Sequence, residues 1–188
     1  MYNKNFKGDV CSHSHSFFLD NFIRRIIQNP KKILDGYIQK GYTIVDLGCG
    51  PGYFSIDMAK MAGKTGKVIA VDLQKEMLEK VKKKAAKENL ADRIQLHNCA
   101  QDRIGLNQGT QADFILAFYM VHETPDTGAF LEQVKEVLRP GGLFLLVEPV
   151  FHVSKTQFKA IMETAIKAGF ILVDTPKKKG GRSLLLSI

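Results

Sequence analysis

Hydrophobic positions along the chain change their period after residue 41. Residues 1–15 follow no period. "FFLDNFIRRII" then puts Leu19, Phe22, Ile23, Ile26 and Ile27 on one helical stripe. Asn29 and Pro30 read as the cap and first position of a second helix, with Ile33, Leu34, Tyr37 and Ile38 on its apolar side and Gly41 at its end. Beyond this point short apolar runs alternate with amphipathic stretches. "YTIVDLG" predicts a buried strand, followed by a helix to about Met61. "GKVIAVDL" predicts a second strand, followed by a helix whose Met77, Leu78 and Val81 keep helical spacing. "RIQLHNC" is a strand followed by a connection poor in helix signals. "ADFILAFYM" is a strand with a helix after it over about 126–138. "GGLFLLVEP" is a strand, "SKTQ" at 154–157 is a capping box opening a helix to about Ala168, and "FILVDTP" and "RSLLLSI" are two closing strands. Strands apolar at nearly every position, alternating with helices, imply a parallel sheet covered on both faces.

Composition narrows this picture. At 188 residues, 45% of them hydrophobic and 24% charged, the chain reads as one ordinary globular domain. No apolar run approaches the roughly 20 residues that span a bilayer, and "MYNKNFKGDV" lacks the apolar core of a signal peptide, so the expectation is a cytoplasmic protein. Three cysteines, Cys11, Cys49 and Cys99, make no disulfide framework. The net charge of +8 is concentrated in "KEMLEKVKKKAAKE" (75–88), where helical spacing turns most lysines to the wet face, and in "KKK" (177–179), in an expected hairpin loop. A basic surface attracts anionic partners, RNA or anionic metabolites alike.

Candidate chemistry starts at "VDLGCGPGYFS" (45–55), where three glycines fall in five positions between a strand and a helix. That is the crevice where open α/β sheets bind ligands. Gly48 and Gly50 let the chain turn with its amides outward, and Gly52 lets the helix pack close. Asp72 ends the second strand, 20 residues after Gly52, where a carboxylate can accept hydrogen bonds from both hydroxyls of a ribose. Asp46 stands two residues before Gly48 and would repel a pyrophosphate but not an ammonium group. The loop reads G-x-G-x-G, not the G-x-G-x-x-G of dinucleotide sites. Adenosine with a cationic amino-acid tail, as in S-adenosylmethionine, suits these residues better than NAD.

The sequence resembles the class I S-adenosylmethionine-dependent methyltransferases from about residue 30 to 188, and more narrowly their small members of unknown substrate. "VDLGCGPG" is similar to the family's first motif and "VIAVDL" to its second. "NCAQD" (98–102) stands where the family frames the adenine, "ADFILAFYMVHE" resembles the fourth-strand motif, and "LRPGGLFLLVEP" the stretch into the fifth strand. The resemblance implies a Rossmann-like three-layer sandwich on a seven-stranded, mostly parallel sheet with an antiparallel last strand. It implies S-adenosyl-L-methionine as cofactor, held by Asp46, Gly48, Cys49, Gly50, Gly52, Asp72, Leu73, Ala100, Gln101 and Phe118.

Methyl transfer from a sulfonium is an in-line displacement that needs alignment and a dry site, and a base only where the acceptor keeps its proton until attack. Tyr119, His122 and Glu123, at the end of the fourth strand, are the catalytic candidates, with His122 the expected general base; His122 or Glu123 bracing the following loop is the other reading. Glu148 and His152 flank the end of the fifth strand on the same rim, where with His122 they could bind substrate or a metal. Cys11, His13 and His15 in "CSHSHS" raise a second metal possibility, but no metal site is expected. Residues 1–29 are expected to form an N-terminal segment whose helix lies over the rim as a lid, with Phe17, Phe18 and Phe22 facing the ligands, and residues 30–188 the methyltransferase domain. The expected reaction is methyl transfer to a small-molecule acceptor. An RNA or protein methyltransferase is the alternative, although "AFYM" stands where amino-methylating enzymes carry [N/D]-P-P-[F/Y/W]. A non-catalytic S-adenosylmethionine-binding protein is another.

Overall fold

The computed structural model describes residues 28–107 and 109–188. The helix expected over residues 17–27, its role as a lid, and Cys11, His13 and His15 lie outside them. The described chain runs α1 (Pro30–Leu34), β1 (Thr43–Leu47), α2 (Ser55–Ala62), β2 (Lys67–Asp72), α3 (Lys75–Lys87), β3 (Ile94–Asn98), β4 (Ala112–Phe118), a 3-10 turn (Val121–Glu123), α4 (Thr127–Val137), β5 (Leu138–Pro149), α5 (Lys155–Lys167), β6 (Ile171–Asp174) and β7 (Gly181–Ser187). The strands form one seven-stranded sheet in the order β3-β2-β1-β4-β5-β7-β6. Strands β1 to β5 pair in parallel, while β7 pairs antiparallel with both β5 and β6. This is the expected architecture, and the strand order reverses between β1 and β4, which opens a crevice at their carboxyl ends.

The two faces of the sheet follow the pleat. Along β4, Phe114, Leu116 and Phe118 join one core with Leu34, Phe54, Met58 and Val81, while Ile115 and Ala117 join another with Leu131, Val134, Ile161 and Phe170. β5 divides likewise, Leu145 and Val147 to the first core and Phe144 and Leu146 to the second. With both faces covered, strands apolar at every position are the stable solution.

Local signals set the helix ends. Asn29 accepts the Lys31 amide and caps α1, Asp126 accepts the Ala129 amide at the start of α4, and Ser154 and Gln157 form the predicted capping box of α5. α1 is shorter than its apolar pattern predicts. It stops at Leu34, and Gly36 with φ +79° turns the chain. Tyr37 and Ile38 still pack on the core, from a turn and not from a helix. α2 begins at Ser55, so Pro51 sits in the preceding turn and not in a first helical turn. The middle lysine of "KKK" is not a solvated surface charge. Its ammonium donates to the Ile33 carbonyl at 2.8 Å and lies 4.9 Å from the centre of the Tyr37 ring, tying the β6–β7 hairpin to α1. Burial lowers the Lys178 pKa, more than nearby Asp174 and Asp35 raise it. No helix among the described residues is long and apolar enough to cross a membrane.

Candidate active site

A cavity of about 500 Å³ opens at the carboxyl ends of β1, β2, β4 and β5. It is lined by Asp46, Gly48, Cys49, Gly50, Asp72, Leu73, Ala100, Gln101, Phe118, Tyr119, His122 and Glu123. Of the described residues singled out in the sequence for cofactor or chemistry, Gly52 and Glu148 do not line it.

The three loop glycines have two different jobs. All have positive φ, a conformation that costs other residues about 1–2 kcal/mol. A Cβ on Gly48 would stand 2.9 Å from the Met120 side chain, and one on Gly52 would stand 3.0 Å from Val81 of α3. Both therefore serve internal packing. A Cβ on Gly50 would meet nothing within 4 Å, so this position alone faces open space. Its amide is not turned outward as expected. It donates to Asp72 Oδ2 at 2.8 Å, while Gln74 donates to Oδ1 at 2.9 Å. The two oxygens offer about four lone-pair sites, so these amides leave room for another donor. Burial pushes the Asp72 carboxyl pKa up, and the backbone bonds from Gln74, Gly50 and Leu73 pull the other way. Asn98 braces the turn by donating to the carbonyls of Asp72 and Leu73.

Asp46 is buried and accepts the Ser55 hydroxyl at 2.5 Å, which fastens the end of β1 to the start of α2. Burial raises the Cys49 thiol well above its ordinary range, helped by Asp46 and Asp72. Cys99 also lines the cavity and is pushed up to about 11, by burial first and then by Asp72. The wall containing Ala100 and Gln101 has no helix. Gln133 of α4 holds it by accepting the Ile104 amide and donating to the Asp102 carbonyl.

Four aromatic rings run along the cavity. Tyr53 meets Phe54 edge-on at 5.2 Å, Phe54 lies 4.5 Å from Phe118, and Phe118 lies 4.2 Å from Tyr119. Tyr53 and Phe54 were not among the sequence candidates, although "GYF" directly after the loop was a usable signal. Tyr119 is also one of two non-glycine residues with positive φ among those described, at +63°. Such strain persists where the surroundings fix it.

His122 and Glu123 sit in the 3-10 turn after β4. Nδ1 of His122 pairs with Oε2 of Glu148, whose Oε1 accepts the Val121 amide at 2.9 Å. Glu148 is fully buried. The hydrogen bond to Glu148 raises the His122 pKa, burial opposes this, and the charges of Glu148 and Glu123 add to the rise. Burial raises the Glu123 pKa as well. The His152 ring stands 6.0 Å from that of His122. Among the described residues, no three of His, Cys, Asp and Glu gather to hold a metal ion.

A family profile described as "Methyltransferase domain" matches residues 38–180. The chain belongs to that family. The methyltransferase domain has the fold of S-adenosylmethionine-dependent methyltransferases, enzymes whose cofactor is S-adenosyl-L-methionine. Its fold matches a crystal structure of a SAM-dependent methyltransferase from Aquifex aeolicus, with a TM-score of 0.82, 24% identity and coverage of 94% of this chain and 100% of that one. A demethylmenaquinone methyltransferase of Oceanobacillus iheyensis is 31% identical over 111 residues, 59% of this chain and 46% of the relative. The demethylmenaquinone methyltransferase of Lactococcus lactis subsp. lactis is 31% identical over 122 residues, 63% and 48% respectively. The methyltransferase thus spans about half the length of these curated relatives. The cavity fits the cofactor. Gly50 leaves a cradle that a side chain would fill, and Asp72 presents a carboxylate with lone pairs to spare.

Proposed function

We propose that this chain transfers the methyl group of S-adenosyl-L-methionine to a small-molecule acceptor carrying a flat apolar ring. One observation carries the reading: the same cavity is lined by Gly50 and Asp72, whose open space and carboxylate suit an adenosine, and by the aromatic and titratable Phe118, Tyr119, His122 and Glu123. Bound there, the cofactor supplies an electrophilic methyl group on a sulfonium.

Asp72 accepts the ribose hydroxyls. Leu73, Ala100 and Gln101 frame the adenine, and Cys49 and Gly50 shape the floor. Asp46, held by Ser55, adds negative charge beside the amino-acid end. Phe118 walls the space near the reacting methyl, and the Tyr53–Phe54–Phe118–Tyr119 chain excludes water and stacks against the acceptor. His122 takes the acceptor's proton, with Tyr119 and Glu123 beside it. The relatives named demethylmenaquinone methyltransferase support a ring acceptor.

The test is incubation with methyl-labelled cofactor and a metabolite extract supplemented with a naphthohydroquinone. A labelled ring-bearing small molecule is expected. Label appearing only in RNA or protein would replace this reading, and calorimetry showing NAD bound more tightly than S-adenosylmethionine would end it.

A further inference from the structure

Glu148 is the least expected residue of the cavity region. It is a carboxylic acid with no exposed surface, directly after the apolar run Leu143–Val147 of β5. A buried carboxylate costs several kcal/mol unless it is paired. Its cross-strand partner on β7 is Arg182, yet that guanidinium donates to the Val153 carbonyl at 2.6 Å. Glu148 turns instead to the 3-10 turn after β4, where the Val121 amide and the His122 ring occupy one oxygen each. The pairing engages Nδ1, and with the ring hydrogen on Nδ1 donated to Oε2, Nε2 is left with its lone pair. His122 is part-exposed and lines the cavity. A residue present only to brace the loop needs neither a buried charge nor a ring edge on the cavity.

We propose that Glu148 and His122 form a proton-accepting dyad, with Glu148 the positioning residue, and that the acceptor is therefore a molecule with an ionisable hydroxyl on its ring, of the phenol or hydroquinone class. The inference rests on the methyl-transfer reading above. In the step, the O–H bond of the acceptor breaks and its proton goes to Nε2 of His122. The released electron pair forms the bond to the methyl carbon, at the oxygen or at the conjugated ring carbon, where the keto tautomer results. The pair of the S–CH3 bond stays on sulfur. The imidazolium that forms lies against Glu148, as its raised proton affinity requires. Glu123 and His152 are the other titratable groups close to the ring, one adding to that affinity and the other 6.0 Å away.

The experiment uses the full chain with ¹⁵N-labelled histidine and S-adenosylhomocysteine, with His122 assigned through His122→Asn. In the native protein Nδ1 stays protonated, and Nε2 titrates above the ordinary imidazole range. Glu148→Gln lowers that titration and lets the tautomers mix, and Glu148→Asp restores part of the shift, while calorimetry shows the S-adenosylhomocysteine affinity unchanged in both. As a second measurement, 4-nitrophenol added to the native complex gains its phenolate absorbance at a pH below its own pKa, and His122→Asn abolishes this. An unmoved His122 titration in Glu148→Gln with S-adenosylhomocysteine still bound overturns the dyad alone, and so does the absence of a phenolate band in the native complex. Failure of S-adenosylhomocysteine to bind the native protein overturns the methyltransferase reading instead.

Discussion

The carboxylate of Asp72 is hydrogen-bonded at 2.8 Å to the amide of Gly50, across 22 residues of chain. The end of β2 and the middle of the glycine loop are therefore one unit. Asp72→Ala removes the ribose acceptor and frees the loop together, so cofactor affinity falls by about 1.5–3 kcal/mol, roughly tenfold to a hundredfold or more. Calorimetry checks this, and an unchanged dissociation constant would place the ribose elsewhere. Because burial raises the Asp72 pKa, affinity begins to fall on acidification at a higher pH than an ordinary aspartate would give.

Gly48 and Gly50 share a positive φ, +65° and +52°, but not their surroundings. Gly48→Ala drives a methyl into Met120 and destabilises the fold by about 1–3 kcal/mol beyond the backbone cost. Gly50→Ala carries the backbone cost of about 1–2 kcal/mol alone, yet its methyl enters the cavity and weakens cofactor binding. Thermal unfolding and calorimetry on the two variants should separate packing from binding. Equal melting temperatures would contradict this division.

His122 gains proton affinity on folding, chiefly through its hydrogen bond to Glu148. Its stabilising contribution is then complete below the unfolded value of about 6.5 and is lost as pH rises through the higher folded value. Urea midpoints of the native protein and His122→Asn should differ most at acid pH and converge above neutrality. A difference that grows with pH would mean that the ring is held neutral. Methyl transfer by His122→Asn should fall about a hundredfold or more.

The thiols facing the cofactor are poor nucleophiles. Cys99 is pushed up to about 11 from an ordinary 9.0, by burial before all else, so its thiolate fraction near neutral pH falls about a hundredfold. Burial raises Cys49 well above its usual range too. In a Cys11→Ser background, alkylation by iodoacetamide at pH 8 should be slow and should slow further with cofactor present. Rapid modification of either residue would contradict the buried geometry.

Most of the sheet was legible because burial on both faces leaves long apolar runs inside the strands, as in "FILAF" and "LFLLV". The caps at Asn29 and Ser154 were legible because each acts on an amide two or three residues away. The shortened α1 was not, because Ile33, Leu34, Tyr37 and Ile38 keep helical spacing while Gly36 breaks the helix between them. Within the site, Asp72 was legible from its spacing to the glycines. The pairing of Glu148 with His122 was not, since 26 residues separate them and only the β4–β5 neighbourhood brings them together. For the same reason the sequence did not show that the absent side chain of Gly48, which lines the cavity, also makes room for Met120.

The β6–β7 hairpin backs the Tyr119 wall of the cavity, despite its place far along the sequence. A Cβ at Gly181 would stand 3.2 Å from the Tyr119 ring and 2.7 Å from Val147, and one at Gly180 would stand 3.4 Å from the Tyr119 hydroxyl. Tyr119 has little freedom to retreat, since its backbone is already in the left-handed region and its amide is bonded to the Val147 carbonyl at 2.7 Å. Loop grafting into this scaffold is therefore asymmetric. A donor hairpin that keeps both glycines leaves the tyrosine in register, whereas one with any side chain at position 181 reshapes the cavity from outside.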